Sequence, residues 1–89
     1  MTGKDYKKKR VVKWRNKFSG EEGYVQSVSV AKGYFTATNN YIEAKAYRSE
    51  ADVKRDFEIL DSFGEWNQND FFVDTVLVPR NKKQVTSNK

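Results

Sequence analysis

The stretch SEADVKRDFEILDSFG, residues 49–64, has the pattern of an amphipathic α-helix. Its large apolar residues recur every three or four positions, at Val53, Phe57, Leu60 and Phe63. Ser49 suits the N-cap because its hydroxyl accepts a hydrogen bond from a first-turn amide, and Gly64 suits the left-handed residue that ends a helix. Such a helix must bury its apolar stripe, and the rest of the chain predicts a sheet as its partner.

Four segments outside this helix alternate in polarity or are rich in β-branched and aromatic residues, as strands are. They are residues 11–18, 24–31, 34–38 and 71–78. Residues 41–48 fit either a further strand or a helical turn, and the alternation of Ile42, Ala44 and Ala46 slightly favours the strand. We therefore predict an α+β fold in the order β-β-β-(β)-α-β, an antiparallel sheet of four or five strands with one helix packed on one face.

The length of 89 residues predicts one domain. We place it at residues 11–79, between a flexible basic arm at residues 1–10 and a flexible basic tail at residues 80–89. The chain has no cysteine, no apolar run of membrane length and no signal-peptide pattern. We therefore expect a cytoplasmic protein without disulfides and without membrane contact, and the oligomeric state is left open.

The formal net charge of +5 is unevenly distributed along the chain. Residues 1–17 carry a net charge of +7, whereas residues 50–74 carry −6. The cations of this first segment that we assign to a binding surface are Lys7, Lys8, Lys9, Arg10, Lys13, Arg15 and Lys17.

The last three of these cations alternate with residues of the other strand face, where Val12, Trp14 and Phe18 are apolar and Asn16 is the one poor fit. Lys13, Arg15 and Lys17 should therefore share one sheet face, about 6–7 Å apart, opposite the apolar face that the helix covers. This spacing is close to that of phosphates along a nucleic-acid strand. The pattern predicts a nucleic-acid-binding surface formed by the arm and the strand. Tyrosines on the same face could stack on bases, the candidates being Tyr24, Tyr34 and Tyr41.

The sequence contains few of the residue patterns on which enzymes depend. The chain has no histidine, and its five glycines form neither a phosphate-binding loop nor a dinucleotide-binding motif. Glu43 and Lys45 have the carboxylate-x-lysine spacing of some magnesium-dependent nucleases, but no suitable second acid precedes them. We expect a non-enzymatic module with no catalytic residue, no metal site and no cofactor.

A protein-binding adaptor or inhibitor is the alternative function. It would use the acidic helix at residues 50–61 or an exposed aromatic side chain in the loop that follows it. The candidate contact residues are Asp52, Asp56, Asp61 and Trp66. A basic partner protein would meet the acids, and the tryptophan would supply apolar contact area.

Four stretches follow one another in a characteristic layout. They are KWRNKFSGEEGYV at residues 13–25, YFTAT at 34–38, IEAKAYRSEADVK at 42–54 and the final apolar strand. Over residues 11–78 this layout resembles that of small uncharacterised proteins encoded by bacterial phages and prophages. The resemblance brings no catalytic residue with it. It implies a bacterial or phage intracellular protein that acts by binding. The charge pattern and the acidic helix, and not the resemblance, give the candidate partners, which are nucleic acid and a host or phage protein.

Overall fold

The computed structural model describes residues 6–79, which form a four-stranded antiparallel sheet with one helix packed on it. The elements are β1 (Tyr6–Asn16), β2 (Glu22–Ser29), β3 (Tyr34–Thr38), α1 (Glu50–Ser62), a short 3₁₀ turn (Glu65–Asn67) and β4 (Asn69–Pro79). The strand order is β3-β2-β1-β4, so β1 lies between β2 and β4. The predicted α+β fold is confirmed with four strands.

The N-terminal half of β1 was wrongly assigned to a flexible arm. Residues 6–10 pair one to one with β4, from Tyr6 opposite Pro79 to Arg10 opposite Thr75. The sequence does not indicate this strand, because four consecutive cations show no apolar alternation. The residues that pair with them, Thr75 to Val78 of β4, lie about seventy positions away in the sequence. Residues 1–5 of the predicted arm and the predicted tail at residues 80–89 lie outside the described residues.

Residues 41–48 form turns and irregular backbone, so the strand favoured for this segment was a wrong prediction. The segment crosses the gap where β1 and β2 diverge. The Lys45 N–H donates to the Val25 carbonyl of β2 at 3.0 Å, and the Tyr47 N–H donates to the Arg10 carbonyl of β1 at 2.9 Å. The alternating pattern therefore reflects two isolated backbone contacts with different strands, not one continuous ladder.

The helix begins and ends where its capping residues predict. The Ser49 hydroxyl accepts a hydrogen bond from the Asp52 N–H at 3.3 Å. Gly64 has a φ of 79°, in the left-handed region that a side chain disfavours, and its N–H donates to the Asp61 carbonyl. Both ends of α1 are therefore determined by local sequence.

The core lies between α1 and one face of the sheet. Its buried members are Val12, Val25, Tyr47, Val53, Leu60 and Phe71. Partly buried side chains pack around them, namely Trp14, Val28, Phe35, Phe57, Phe63 and Trp66. The helix stripe and the predicted Val12 and Trp14 side of β1 thus meet as expected.

Phe18, predicted on the same side as Val12, is 81% exposed. The strand stops at Asn16, whose Oδ1 accepts hydrogen bonds from the backbone N–H groups of Phe18 and Ser19 at 2.9 and 2.8 Å. This asparagine turn redirects the chain before Phe18 can join the core.

Leu60 has no exposed surface and lies at the centre of the core. We predict that Leu60→Ala lowers the free energy of unfolding by about 2–5 kcal/mol, because it removes buried methyl groups and leaves a cavity. Urea unfolding followed by circular dichroism measures this change. The exposed Glu58→Ala on the same helix is the control and should stay within about 0.5 kcal/mol of the parent. Equal effects of the two substitutions would contradict this description of the core.

Candidate nucleic-acid interface

The pairing register assigns the residues of β1 to two faces of the sheet. Val12 and Trp14 lie on the face that α1 covers, which we call the helix face. Successive strand residues point to opposite faces, so Lys13 and Arg15 lie on the other face, which we call the open face. This arrangement places Lys13 and Arg15 on the side of the sheet away from the acidic helix.

Aromatic rings flank Lys13 on the open face. Tyr24 of β2 and Phe72 of β4 lie directly opposite Lys13 in the two ladders. The Lys13 Nζ is 5.8 Å from the centroid of the Tyr24 ring and 5.9 Å from that of the Phe72 ring, within the range of cation–π attraction. Tyr41 packs edge-on against Tyr24 with ring centroids 6.4 Å apart. We call Lys13, Tyr24, Tyr41 and Phe72 the aromatic–cation cluster.

Two members of this cluster present ring surface to solvent, Phe72 with 39% and Tyr41 with 40% of its surface exposed. Tyr34 is also exposed on the open face, because it is four residues before Thr38, the β3 residue opposite Tyr24. All three predicted tyrosines therefore lie on this side of the sheet. Phe72 was not among the predicted site residues, because β4 is apolar on both faces and its phase could not be assigned without the register.

Acidic residues accompany the cations but bind them weakly. Arg15 lies opposite Glu22 in one ladder and Asp70 in the other. The Lys13–Glu22 and Lys17–Asp70 ion pairs measure 4.0 and 3.9 Å between the charged atoms. Solvent-exposed pairs of this kind contribute only about 0–1 kcal/mol, so a phosphate group can replace either acid at little cost.

Lys17 follows the end of β1 and is held by the loop after the helix. Its Nζ donates to the Trp66 carbonyl at 2.7 Å. Its side chain stays exposed beside Asp70. Lys17 therefore continues the row begun by Lys13 and Arg15, although its direction is determined by this hydrogen bond and not by strand alternation.

The four cations at residues 7–10 do not form one surface. Lys7 and Lys9 share the open face with Lys13, whereas Lys8 and Arg10 lie on the helix face. The Lys9 Nζ also donates to the Tyr41 and Ile42 carbonyls at 3.2 and 2.8 Å. Burial, and then the charge of Lys7, lower the pKa of Lys9. The structure thus groups Lys13, Arg15 and Lys17, places Lys7 on the same face but six strand residues away, and separates Lys8 and Arg10 from them.

The acidic helix is less exposed than the alternative function requires. Asp56 is 4% exposed, and its Oδ2 accepts hydrogen bonds from Lys45 Nζ and from the Tyr47 hydroxyl, both at 2.7 Å. The prediction that Asp56 offers a protein-binding surface is therefore wrong. Its position could have revealed this, because residue 56 lies three after Val53 and four before Leu60, within the apolar stripe.

The other residues of the alternative surface differ from one another. Asp61 is exposed, and Asp52 binds Arg55 at 2.6 Å in the first turns of the helix. Trp66 is half-buried between Phe57 and Phe71, and its ring N–H donates to the Phe57 carbonyl at 3.2 Å. The predicted exposed tryptophan is therefore part of the edge of the core.

The carboxylate-x-lysine pair is divided between two contacts. Glu43 accepts a hydrogen bond from the Thr38 hydroxyl at 3.1 Å, while Lys45 is bound to Asp56. Within residues 6–79 no group of three or more acidic side chains is close enough to hold a metal ion.

Comparison with models of known protein families, with curated proteins and with solved structures finds no match to this chain. The resemblance to phage and prophage proteins stays a prediction. Among the helices of the described residues, none is long and apolar enough to cross a membrane.

Burial raises the pKa of the Tyr47 hydroxyl, and the hydrogen bond to Asp56 and the charge of that acid raise it further. An unfolded tyrosine loses its proton with a pKa of about 10, so above that pH the unfolded chain binds fewer protons than the folded one. The stabilisation from Tyr47 is therefore complete below about pH 10 and decreases as the pH rises above it.

We predict that the parent protein has a larger free energy of unfolding than Tyr47→Phe at pH 8, and that this difference is about 1.4 kcal/mol smaller at pH 11. Urea unfolding of both proteins at the two pH values measures the effect. Lysines titrate in both proteins, so their contribution cancels in the difference. If the difference in free energy of unfolding between the two proteins stays constant with pH, the folded state does not hold the Tyr47 proton more tightly than the unfolded chain does.

Proposed function

We propose that the open face of the sheet binds single-stranded nucleic acid. The observation that carries the proposal is the aromatic–cation cluster, in which Lys13 lies between the rings of Tyr24 and Phe72 on a face that no helix covers. Exposed rings stack on unpaired bases, and neighbouring cations contact the phosphates between them. A duplex keeps its bases stacked inside, so it would gain only the phosphate contacts.

The charge distribution supports the same surface. The cations Lys13, Arg15 and Lys17 continue from the aromatic–cation cluster to the end of β1. Lys7 lies on the same face about 20 Å from Lys13 at the rise of a strand, with the buried Val11 between them. The acids of α1 lie beyond the opposite face, where they do not repel a phosphate chain on this one. Glu22, Asp70 and Asp74 reduce the positive potential of the open face, so we expect modest affinity with a clear dependence on salt.

The proposed function is that of a binding module and not of an enzyme. With no histidine, the chain lacks the side chain that most often acts as a general acid or base near neutral pH. The best candidate acids, Glu43 and Asp56, each accept hydrogen bonds from other parts of the fold. Binding through the open face needs neither of them.

We predict that the full-length protein binds fluorescein-labelled oligo(dT) of about twelve nucleotides more tightly than a duplex of the same length. Fluorescence anisotropy at salt concentrations from about 50 to 200 mM gives the affinity and its salt slope. Phe72→Ala should weaken binding by about tenfold with little change in that slope, because it removes a stacking surface. Lys13→Glu should weaken binding and reduce the slope by about one, because it removes a phosphate contact.

Lys54→Glu is the matched control, since Lys54 is exposed on α1 and its replacement changes the net charge as Lys13→Glu does. It should bind nearly as the parent protein does. The proposal fails if oligo(dT) does not bind at low salt, if binding ignores salt, or if Lys54→Glu and Lys13→Glu weaken it equally.

A further inference from the structure

We propose that the free edge of β1, next to Tyr47, binds an extended acidic segment of a partner protein by strand addition. A groove of about 600 Å³ opens at this edge. Its lining comes from residues 7–10 of β1, from Ile42, Ala46 and Tyr47 of the irregular segment, and from Val78 and Pro79 of β4, so it extends from the free edge across β1. This groove, which we call the edge groove, is distinct from the aromatic–cation cluster, and its ligand does not depend on the nucleic-acid proposal.

The backbone of β1 is available for pairing at this groove. The Arg10 carbonyl accepts from the Tyr47 N–H, so the backbone groups of Arg10 point away from β4. Backbone groups of alternate strand residues point the same way, so the N–H and C=O of Lys8 also point away from β4. Among residues 6–79 neither group of Lys8 has a backbone hydrogen-bond partner, because β1 pairs with β2 only over Lys13–Arg15.

The edge already accepts one strand-like contact. Tyr47 uses the Arg10 carbonyl as a residue of an adjacent strand would, and the chain then leaves the sheet to enter α1. An added peptide would continue this line past Arg10 toward Tyr6. Main-chain hydrogen bonds supply affinity in such complexes, and the alternating side chains supply specificity.

The positions of the cations favour a peptide over a nucleic acid as the ligand. Lys7 lies on the open face, whereas Lys8 and Arg10 lie on the helix face. A phosphate chain that follows one face reaches only part of this set. A paired strand projects side chains to both faces, so acids along it reach all three cations as cross-strand neighbours.

The charge and the polarity of the edge groove also indicate which residues the peptide contains. The four adjacent cations at residues 7–10 select a segment rich in aspartate or glutamate, and the apolar side of the groove selects interspersed aliphatic residues. The chain's own residues 80–89 carry four cations and no acid, so charge opposes their occupying this groove. We therefore assign the groove to a segment of another protein.

The test uses the full-length protein and a fluorescein-labelled peptide of sequence EEVVEEVV, which places acids and valines on both faces of an extended strand. Anisotropy should show saturable binding of this peptide and none of KKVVKKVV. Methylation of the alternate backbone nitrogens that would face β1 should abolish binding, because it removes the donors without changing any side chain. In a ¹H–¹⁵N NMR titration, the largest shifts should fall on the amides of Lys8, Arg10 and Tyr47.

Two substitutions separate the backbone contact from the charge. Lys8→Ala removes the charge alone, while Lys8→Pro also removes an N–H that the β1–β4 ladder does not use. We expect Lys8→Pro to bind about tenfold more weakly than Lys8→Ala, while Lys13→Glu leaves peptide binding nearly unchanged.

Three results would overturn the proposal. Equal affinity for the methylated and unmethylated peptides would show a purely ionic contact. Equal affinities of Lys8→Pro and Lys8→Ala would show that the edge is not used. Displacement of the peptide by oligo(dT), with Lys13→Glu as harmful to both ligands, would make the groove part of the nucleic-acid surface. If Lys8→Pro fails to fold, the methylated peptide decides the question on the parent protein.

Discussion

The hydrogen bonds that Lys45 and Tyr47 donate to the buried carboxylate of Asp56 hold together the parts of this structure that have no regular pairing. They attach the irregular segment at residues 41–48 to α1. The same segment bonds to β1 through the Tyr47 N–H and to β2 through the Lys45 N–H. The helix, the two diverging strands and the loop that carries Tyr41 therefore share one polar contact point. Both proposed binding surfaces border this segment, because Tyr41 belongs to the aromatic–cation cluster and Tyr47 lines the edge groove.

A buried carboxylate can join these elements only if its hydrogen-bond partners are all present. Removing one partner of a buried ion pair typically costs about 3–5 kcal/mol, whereas replacing the whole set by apolar residues is often neutral. Asp56 keeps a partly exposed partner, since the Lys45 side chain is 38% exposed, so the pair is less desolvated than a fully buried one. The advantage of hydrogen bonds at this position is that they have a preferred direction. An apolar contact would hold residues 41–48 against the helix in several ways, while two hydrogen bonds to one oxygen favour a single arrangement of the segment.

Local signals in the sequence were enough for the helix and for the face of the sheet that it covers. The Ser49 cap, the stripe from Val53 to Phe63 and the left-handed Gly64 place the helix within two residues of its observed ends. The alternation around Val12 and Trp14 identifies the face that meets it. What the sequence could not provide depends on partners distant in the chain. The strand at residues 6–10 is stabilised by pairing with β4, Phe72 acquires its place beside Lys13 from the register, and Asp56 is acceptable in a core only because Lys45 and Tyr47 reach it.

The central position of β1 explains how a small sheet can offer two different surfaces. Its C-terminal half is paired on both sides, so only the side chains of its open face are available, and they are cations among aromatic rings. Its N-terminal half is paired with β4 alone, so one row of backbone groups is available together with side chains on both faces. A stacked, phosphate-bearing ligand suits the first half, and an extended peptide suits the second. The segment around Tyr41 and Ile42 lies between the two surfaces, because Tyr41 packs against Tyr24 and Ile42 lines the edge groove, so each ligand has its own part of β1.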